Sequence, residues 1–203
     1  MKMTVAQAMV KCLEQEQIQT VFGYPGAAIC PFYDALLNSP IEHLLIRQEQ
    51  MGGHCANGLA RVTGRPQVCI ATSGPGALNL ITGIATAYMD SIPLVCITGQ
   101  VNSDQLGKDV FQEADITGAV EPFSKYSYIV KDGSQIARIF KEAFYLAGTG
   151  RPGPVVIDVP TDIQNQTIDF EYPETISMRS YKPTVVGNAR QITRAAAALK
   201  KAK

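Results

Sequence analysis

Neither sign of charge is in excess in this sequence: 18 Lys and Arg residues balance 18 Asp and Glu, for a formal net charge of zero. With no global field, nothing draws the chain to nucleic acid or to an anionic membrane. No apolar stretch approaches the roughly 20 residues needed to cross a bilayer, and no signal peptide precedes the amphipathic segment that Thr4 opens. The expectation is a soluble, cytoplasmic protein. Five cysteines, at 12, 30, 55, 69 and 96, form no C-x-x-C pair and stand at no zinc-like spacing from the two histidines, His43 and His54. A structural metal is therefore not expected, and the cysteines read as buried and reduced, small hydrophobes rather than redox groups.

What is present is apolar: 46% of the 203 residues are hydrophobic and 18% charged, enough for a globular core. Strand patterns at 20–22, 44–46, 68–71, 93–97, 126–130 and 155–159 alternate with helical patterns near 28–38, 49–63, 76–89 and 134–148. Near-continuous apolar strands separated by helices predict an α/β fold, a parallel sheet of about six strands with helices on both faces. Residues 99–125 lack a clean period and read as a loop with a short helix, the kind of strand-end segment where α/β proteins place their sites. Residues 1–163 read as one domain and 164–187 as an extended linker, followed by a helix over 188–203 with Ile192, Ala195, Ala196 and Leu199 on one face. That helix reads as the first element of a second, truncated domain, or else as a C-terminal helix folded back on the first.

Four strand ends carry residues suited to a site. Gly23-Tyr24-Pro25-Gly26-Ala27 lacks the G-x-G-x-x-G spacing and no G-K-[ST] follows, so it is a plain turn or a bare surface that a flat ligand can approach. Arg47-Gln48-Glu49-Gln50 places Glu49 at a helix start. The carboxylate there serves the helix N-terminus, or it is a functional acid at the carboxyl end of a central strand. His54, one turn on, reads as packed or exposed rather than catalytic. Thr72-Ser73-Gly74-Pro75-Gly76 is rigid and nearly bare, suited to contact with a ring; G-x-S-x-G is absent and no histidine lies downstream, which sets aside a serine hydrolase. The run Ile97–Val101 leads to a loop with Phe111 beside Gln112, an aromatic and an amide able to line a pocket.

In order and spacing these motifs, together with Tyr88–Val95, Phe111-Gln112-Glu113-Ala114-Asp115 and Gly150-Arg151-Pro152-Gly153-Pro154, resemble the acetolactate (acetohydroxyacid) synthase large subunit. That family is one of the thiamine-diphosphate-dependent decarboxylases and carboligases. The resemblance implies that 1–163 is a pyrimidine-binding domain and that the linker and last helix lead into a central domain. It implies that Glu49 hydrogen-bonds N1′ of the cofactor's pyrimidine and exchanges a proton there, favouring the imino tautomer that deprotonates the thiazolium carbon. Glu49 and Gln112 are then the catalytic residues. Gly26, Glu49, Pro75, Asn79 and Gln112 surround the pyrimidine or the reacting carbon, and Ala27 and Phe111 shape the substrate pocket. Arg151, a surface arginine in a proline turn on its own motif, becomes a contact to FAD.

The implied reaction is decarboxylation of pyruvate and addition of the two-carbon remainder to a second 2-oxo acid, giving acetolactate or acetohydroxybutyrate in branched-chain amino-acid biosynthesis. Implied partners are a second copy, as homodimer or tetramer, and a regulatory small subunit; nucleic acid and membrane are not among them. The Gly-Asp-Gly motif and following asparagine that hold the diphosphate and Mg2+ in this superfamily do not occur here, so this chain alone is expected to be inactive. Three positions depart from the common pattern: Gln48 replaces a histidine, Asn102 a proline and Thr161 a lysine. A relative such as sulfoacetaldehyde acetyltransferase, or a non-catalytic dimerising α/β module, is the alternative reading.

Overall fold

The structure is a computed structural model and describes residues 1–202. Strand β1 (Lys2–Thr4) leads into helix α1 (Val5–Gln15), then β2 (Thr20–Gly23), α2 (Cys30–Leu36), β3 (Glu42–Leu45), α3 (Glu49–Thr63) and β4 (Gln67–Ala71). The chain continues with α4 (Pro75–Asn79), α5 (Ile81–Met89), β5 (Leu94–Gln100), α6 (Ile116–Ala119), β6 (Tyr126–Ile129) and α7 (Ile136–Gly148). It closes with β7 (Pro154–Pro160), α8 (Thr161–Gln164), β8 (Thr167–Asp169) and α9 (Ala189–Lys201).

Six strands form one sheet in the order β3-β2-β4-β5-β7-β6, every pair parallel. The two middle neighbours, β4 and β5, consist entirely of buried residues, which is why they read as unbroken apolar runs rather than alternating ones. Alternate residues feed two cores. Val68, Ile70, Val95, Ile97, Val155 and Ile157 pack with α1, α2 and α7, while Cys69, Cys96 and Val156 pack with α3 and α5 on the other face. Successive strands diverge from β2, one connection leading to β3 and the next to β4 on its other side. The crevice between the carboxyl ends of β2 and β4 is thus a topological switch point, the place where open α/β sheets bind ligands.

Local chemistry fixes the element ends. Thr4 and Gln7 form a reciprocal capping box on α1. Gly64, at φ 67°, takes the left-handed conformation that closes α3. The helix expected over 76–89 is two pieces, α4 and α5, because the chain tightens at Leu80, whose N–H bonds the Ala77 carbonyl. The irregular 99–125 stretch is corrected at its start, where β5 continues to Gln100.

The expected linker, 164–187, is extended but docked. Its β8 pairs antiparallel with β1, and Phe170, Tyr172, Met178 and Tyr181 pack on the core. Helix α9 has no buried residue, so it does not fold back on the sheet. The cysteine expectation holds for Cys12, Cys69 and Cys96 but not for Cys30 and Cys55, which are exposed. Cys55 lies on the outer face of α3, one turn after the exposed Met51. No helix among the described residues is long and apolar enough to cross a membrane.

Candidate active site

Thr72, the first residue past β4, joins the first motif to the third, and Glu49 of the second reaches the third at Gly76 and Asn79. Its Oγ1 accepts a hydrogen bond from the Ala28 N–H at 3.2 Å. A Cβ placed on Gly26 would stand 2.5 Å from Thr72 Cβ, and one on Gly76 would stand 2.8 Å from Thr72 Cγ2 and 3.3 Å from Glu49 Oε1. Side chains are excluded there by contact, so backbone lies bare beside the Glu49 carboxylate. Glu49 itself is half-buried at the first position of α3. The one hydrogen bond to its carboxylate among the described residues comes from Asn79 Nδ2, at 2.9 Å to Oε2. The strand it follows, β3, lies at the edge of the sheet and not at its centre; an amide from α4 orients the carboxylate, and Oε1 stays toward Gly76.

The fourth motif joins this group through backbone. Gly74 has φ 56°, a conformation open to glycine, and a Cβ on it would lie 2.6 Å from the Gln112 carbonyl oxygen. Gln112 is itself left-handed, at φ 58°, which costs a non-glycine residue about 1–3 kcal/mol unless its surroundings hold it. Those surroundings are visible. Glu113 accepts the N–H groups of Gly107 and of Val110, the latter at 3.1 Å, and the Gly107 bond is the largest cause of its lowered pKa. Phe111, beside Gln112, is 86% exposed. Gly26, Ala27, Glu49, Pro75, Asn79, Phe111 and Gln112 therefore lie along the carboxyl-end loops of the sheet.

Arg151 is not brought to them. It precedes the amino end of β7, whereas Glu49 follows the carboxyl end of β3, and in a parallel sheet these are opposite edges. Its Nε donates to Ser91 Oγ at 2.8 Å and NH2 to the Tyr88 carbonyl at 3.1 Å, with the guanidinium 5.4 Å from the Tyr88 ring. There it caps the last turn of α5. His54 is half-buried within α3. Among the departures, Thr161 donates to the Gln100 carbonyl at 3.0 Å, while Gln48 and Asn102 are exposed at the starts of α3 and of a short turn.

Sequence reasoning passed over Thr72 as an individual residue, and Asp158 altogether. Asp158 is 1% exposed in the apolar run Val155-Val156-Ile157-Asp158-Val159, and burial pushes its pKa up to about 7 against the opposing hydrogen bonds from Thr98 and Gln100. The signal was available: one carboxylate in an otherwise apolar central strand needs an explanation.

The family described as "Thiamine pyrophosphate enzyme, N-terminal TPP binding domain" matches residues 3–119. The acetolactate synthase large subunit of Corynebacterium glutamicum is 50% identical over 203 residues, covering 100% of this chain and 32% of that protein. The acetolactate synthase isozyme 3 large subunit of Escherichia coli is 50% identical over 201 residues, 98% of this chain and 35% of that protein. A probable acetolactate synthase large subunit of Methanocaldococcus jannaschii is 48% identical over 194 residues, 94% of this chain and 33% of that protein. The chain thus spans about a third of the length of the curated relatives it matches.

Proposed function

Because the chain belongs to the thiamine pyrophosphate enzymes, through their N-terminal TPP binding domain, we propose that it supplies the pyrimidine side of the site in an acetolactate synthase large subunit. The observation that carries this reading is the Glu49 carboxylate, oriented by Asn79 and facing the bare backbone at Gly76. An acid with one oxygen held and the other beside a wall without side chains fits a flat, basic heterocycle. Thiamine diphosphate, when bound, supplies a carbon nucleophile that takes up pyruvate and stabilises the charge left as carbon dioxide departs. Glu49 holds N1′ of the ring and moves a proton there. Asn79 fixes the carboxylate, while Gly26 and Pro75 leave the ring room. Gln112 reaches toward the reacting carbon, and Ala27 and Phe111 shape the pocket for the second 2-oxo acid, pyruvate or 2-oxobutyrate.

The remaining parts of the reading extend beyond this site. Residues 1–163 act as the pyrimidine-binding domain, 164–187 as a strap that leaves it, and α9 as the opening of a central domain. This sequence has no Gly-Asp-Gly motif, so Mg2+ and the diphosphate are held by residues outside it. Arg151, exposed at the far edge of the sheet, contributes to a separate FAD contact. The exposed residues Met51, Cys55, Gly58 and Val62 stand at helical spacing on α3, and this stripe supports pairing with a second copy. A regulatory small subunit and a cytoplasmic setting complete the reading. The test is an assay of the protein at the length of its relatives with pyruvate, thiamine diphosphate and Mg2+. Acetolactate is the expected product; pyruvate left unconsumed overturns the reading.

A further inference from the structure

The buried carboxylate in β7 is not part of the Glu49 group, yet it connects to it through one side chain. Asp158 lies across from Thr98 of β5. Its Oδ1 accepts from Thr98 Oγ1 at 2.6 Å and its Oδ2 from Gln100 Nε2 at 2.9 Å. Gln100 is 2% exposed, and each polar atom of its amide is engaged. Oε1 accepts the Val101 N–H at 2.9 Å, and Nε2 spends its second hydrogen on the Ala114 carbonyl, also at 2.9 Å. The Val101 contact fixes which end of the amide is oxygen. Ala114 stands two residues after Gln112, whose left-handed backbone is pressed against Gly74. The same β7–α8 junction holds the start of this loop, because Asp162 accepts the Ser103 N–H at 2.8 Å together with its hydroxyl.

An apolar residue at 158 would fill the strand without the cost of burying a carboxylate. It would also leave a buried amide unmatched and free to turn away from Ala114. We propose that Asp158 is a positioning residue: by holding the Gln100 amide against the Ala114 carbonyl, it fixes the 109–114 loop in the strained form that presents Gln112 to the Glu49 site. The inference rests on the reading that Gln112 serves that site. The hydrogen-bond chain itself stands independently of it.

Asp158→Leu keeps the branched outline of the side chain and removes both acceptors, whereas Asn could still turn its oxygen to Gln100 and its NH2 to the Thr98 hydroxyl. With Leu at 158, one Gln100 hydrogen has no buried partner and nothing holds the amide against Ala114. Gln100→Met breaks the same chain without touching Asp158, and Thr98→Val removes the other donor while leaving the loop connection whole. Amide hydrogen exchange in the full-length protein reads the result segment by segment. The expected outcome is at least tenfold faster exchange at 107–115 in Asp158→Leu and in Gln100→Met, and exchange at 107–115 within twofold of the parent in Thr98→Val. In the same variants, kcat with pyruvate falls at least tenfold while half-saturating thiamine diphosphate stays within twofold, since Glu49 and Asn79 are untouched. Loop exchange unchanged in either chain-breaking variant overturns the proposal, as does equal loosening in Thr98→Val, and so does a loosened loop with unaltered kcat. If the parent protein makes no acetolactate, it is the functional reading that fails, and the exchange data still decide the hydrogen-bond chain.

Discussion

A glutamate at the first position of a helix normally has its own backbone N–H groups at hand, and Glu49 is instead held by Asn79 across the junction with α4. That arrangement needs room, and Gly76 provides it. Gly76→Ala places a methyl 2.8 Å from Thr72 Cγ2 and 3.3 Å from Glu49 Oε1. The expected cost is about 1–3 kcal/mol of unfolding free energy in urea titration, from overpacking, with the carboxylate displaced and carboligation reduced in the full-length protein. Asp158 gives a second prediction with a definite sign. Burial raises its pKa from 3.8 to about 7, with the Asp115 charge adding to the rise. The native state therefore keeps a proton that the unfolded chain has already lost. Its contribution to stability is fully present below about pH 3.8 and is lost as pH rises through about 7. Urea titrations should show wild-type stability, taken relative to Asp158→Asn, declining from about pH 4 to 7 and then levelling. A flat difference contradicts the shift.

Helix α3, expected near 49–63, spans Glu49–Thr63, but the apolar period that marks it does not face the core: Met51, Cys55 and Val62 are exposed and Leu59 half-buried, while the small residues Gly52, Gly53, Ala56 and Ala60 are buried. The parallel sheet was legible because buried strands leave unbroken apolar runs. The β1–β8 pair was not, since two three-residue strands carry no period and meet across almost the whole chain, as in Lys2↔Asp169. The docking of the strap was hidden too, in isolated aromatics. Tyr172 donates to Glu16 Oε1 at 2.6 Å, and Lys141 Nζ lies 5.0 Å from its ring centre. Tyr172→Phe should lower unfolding free energy by about 1 kcal/mol, because the hydroxyl bonds a charged partner at a half-buried site; unfolding in urea measures it. At the site itself, glycine turns and Glu49 were visible as residue types at strand ends. The contacts of Gln112 and Asp158 depend on a loop without period folding back, which local sequence does not encode.

At the scale of the molecule, a chain of zero net charge packs two apolar cores on the faces of one sheet and gathers the Glu49 group at its switch point. The outer face of α3 is the surface through which a second copy is expected to approach. Val62 is 85% exposed, so Val62→Asp should leave stability within about 0.5 kcal/mol while reducing the dimer fraction in sedimentation velocity. With no Gly-Asp-Gly motif in the sequence, the 203-residue chain by itself should form no acetolactate from pyruvate, thiamine diphosphate and Mg2+, as product detection checks. The proposed chemistry turns on the Glu49 proton, and the decisive measurement is turnover of the Glu49→Gln variant in the full-length protein. Replacing the acid by an amide keeps its size and its contact to Asn79 but removes the proton exchange. Acetolactate formation at saturating pyruvate and cofactor is expected to fall by about 100-fold or more; turnover near that of the parent protein would rule out proton exchange at Glu49.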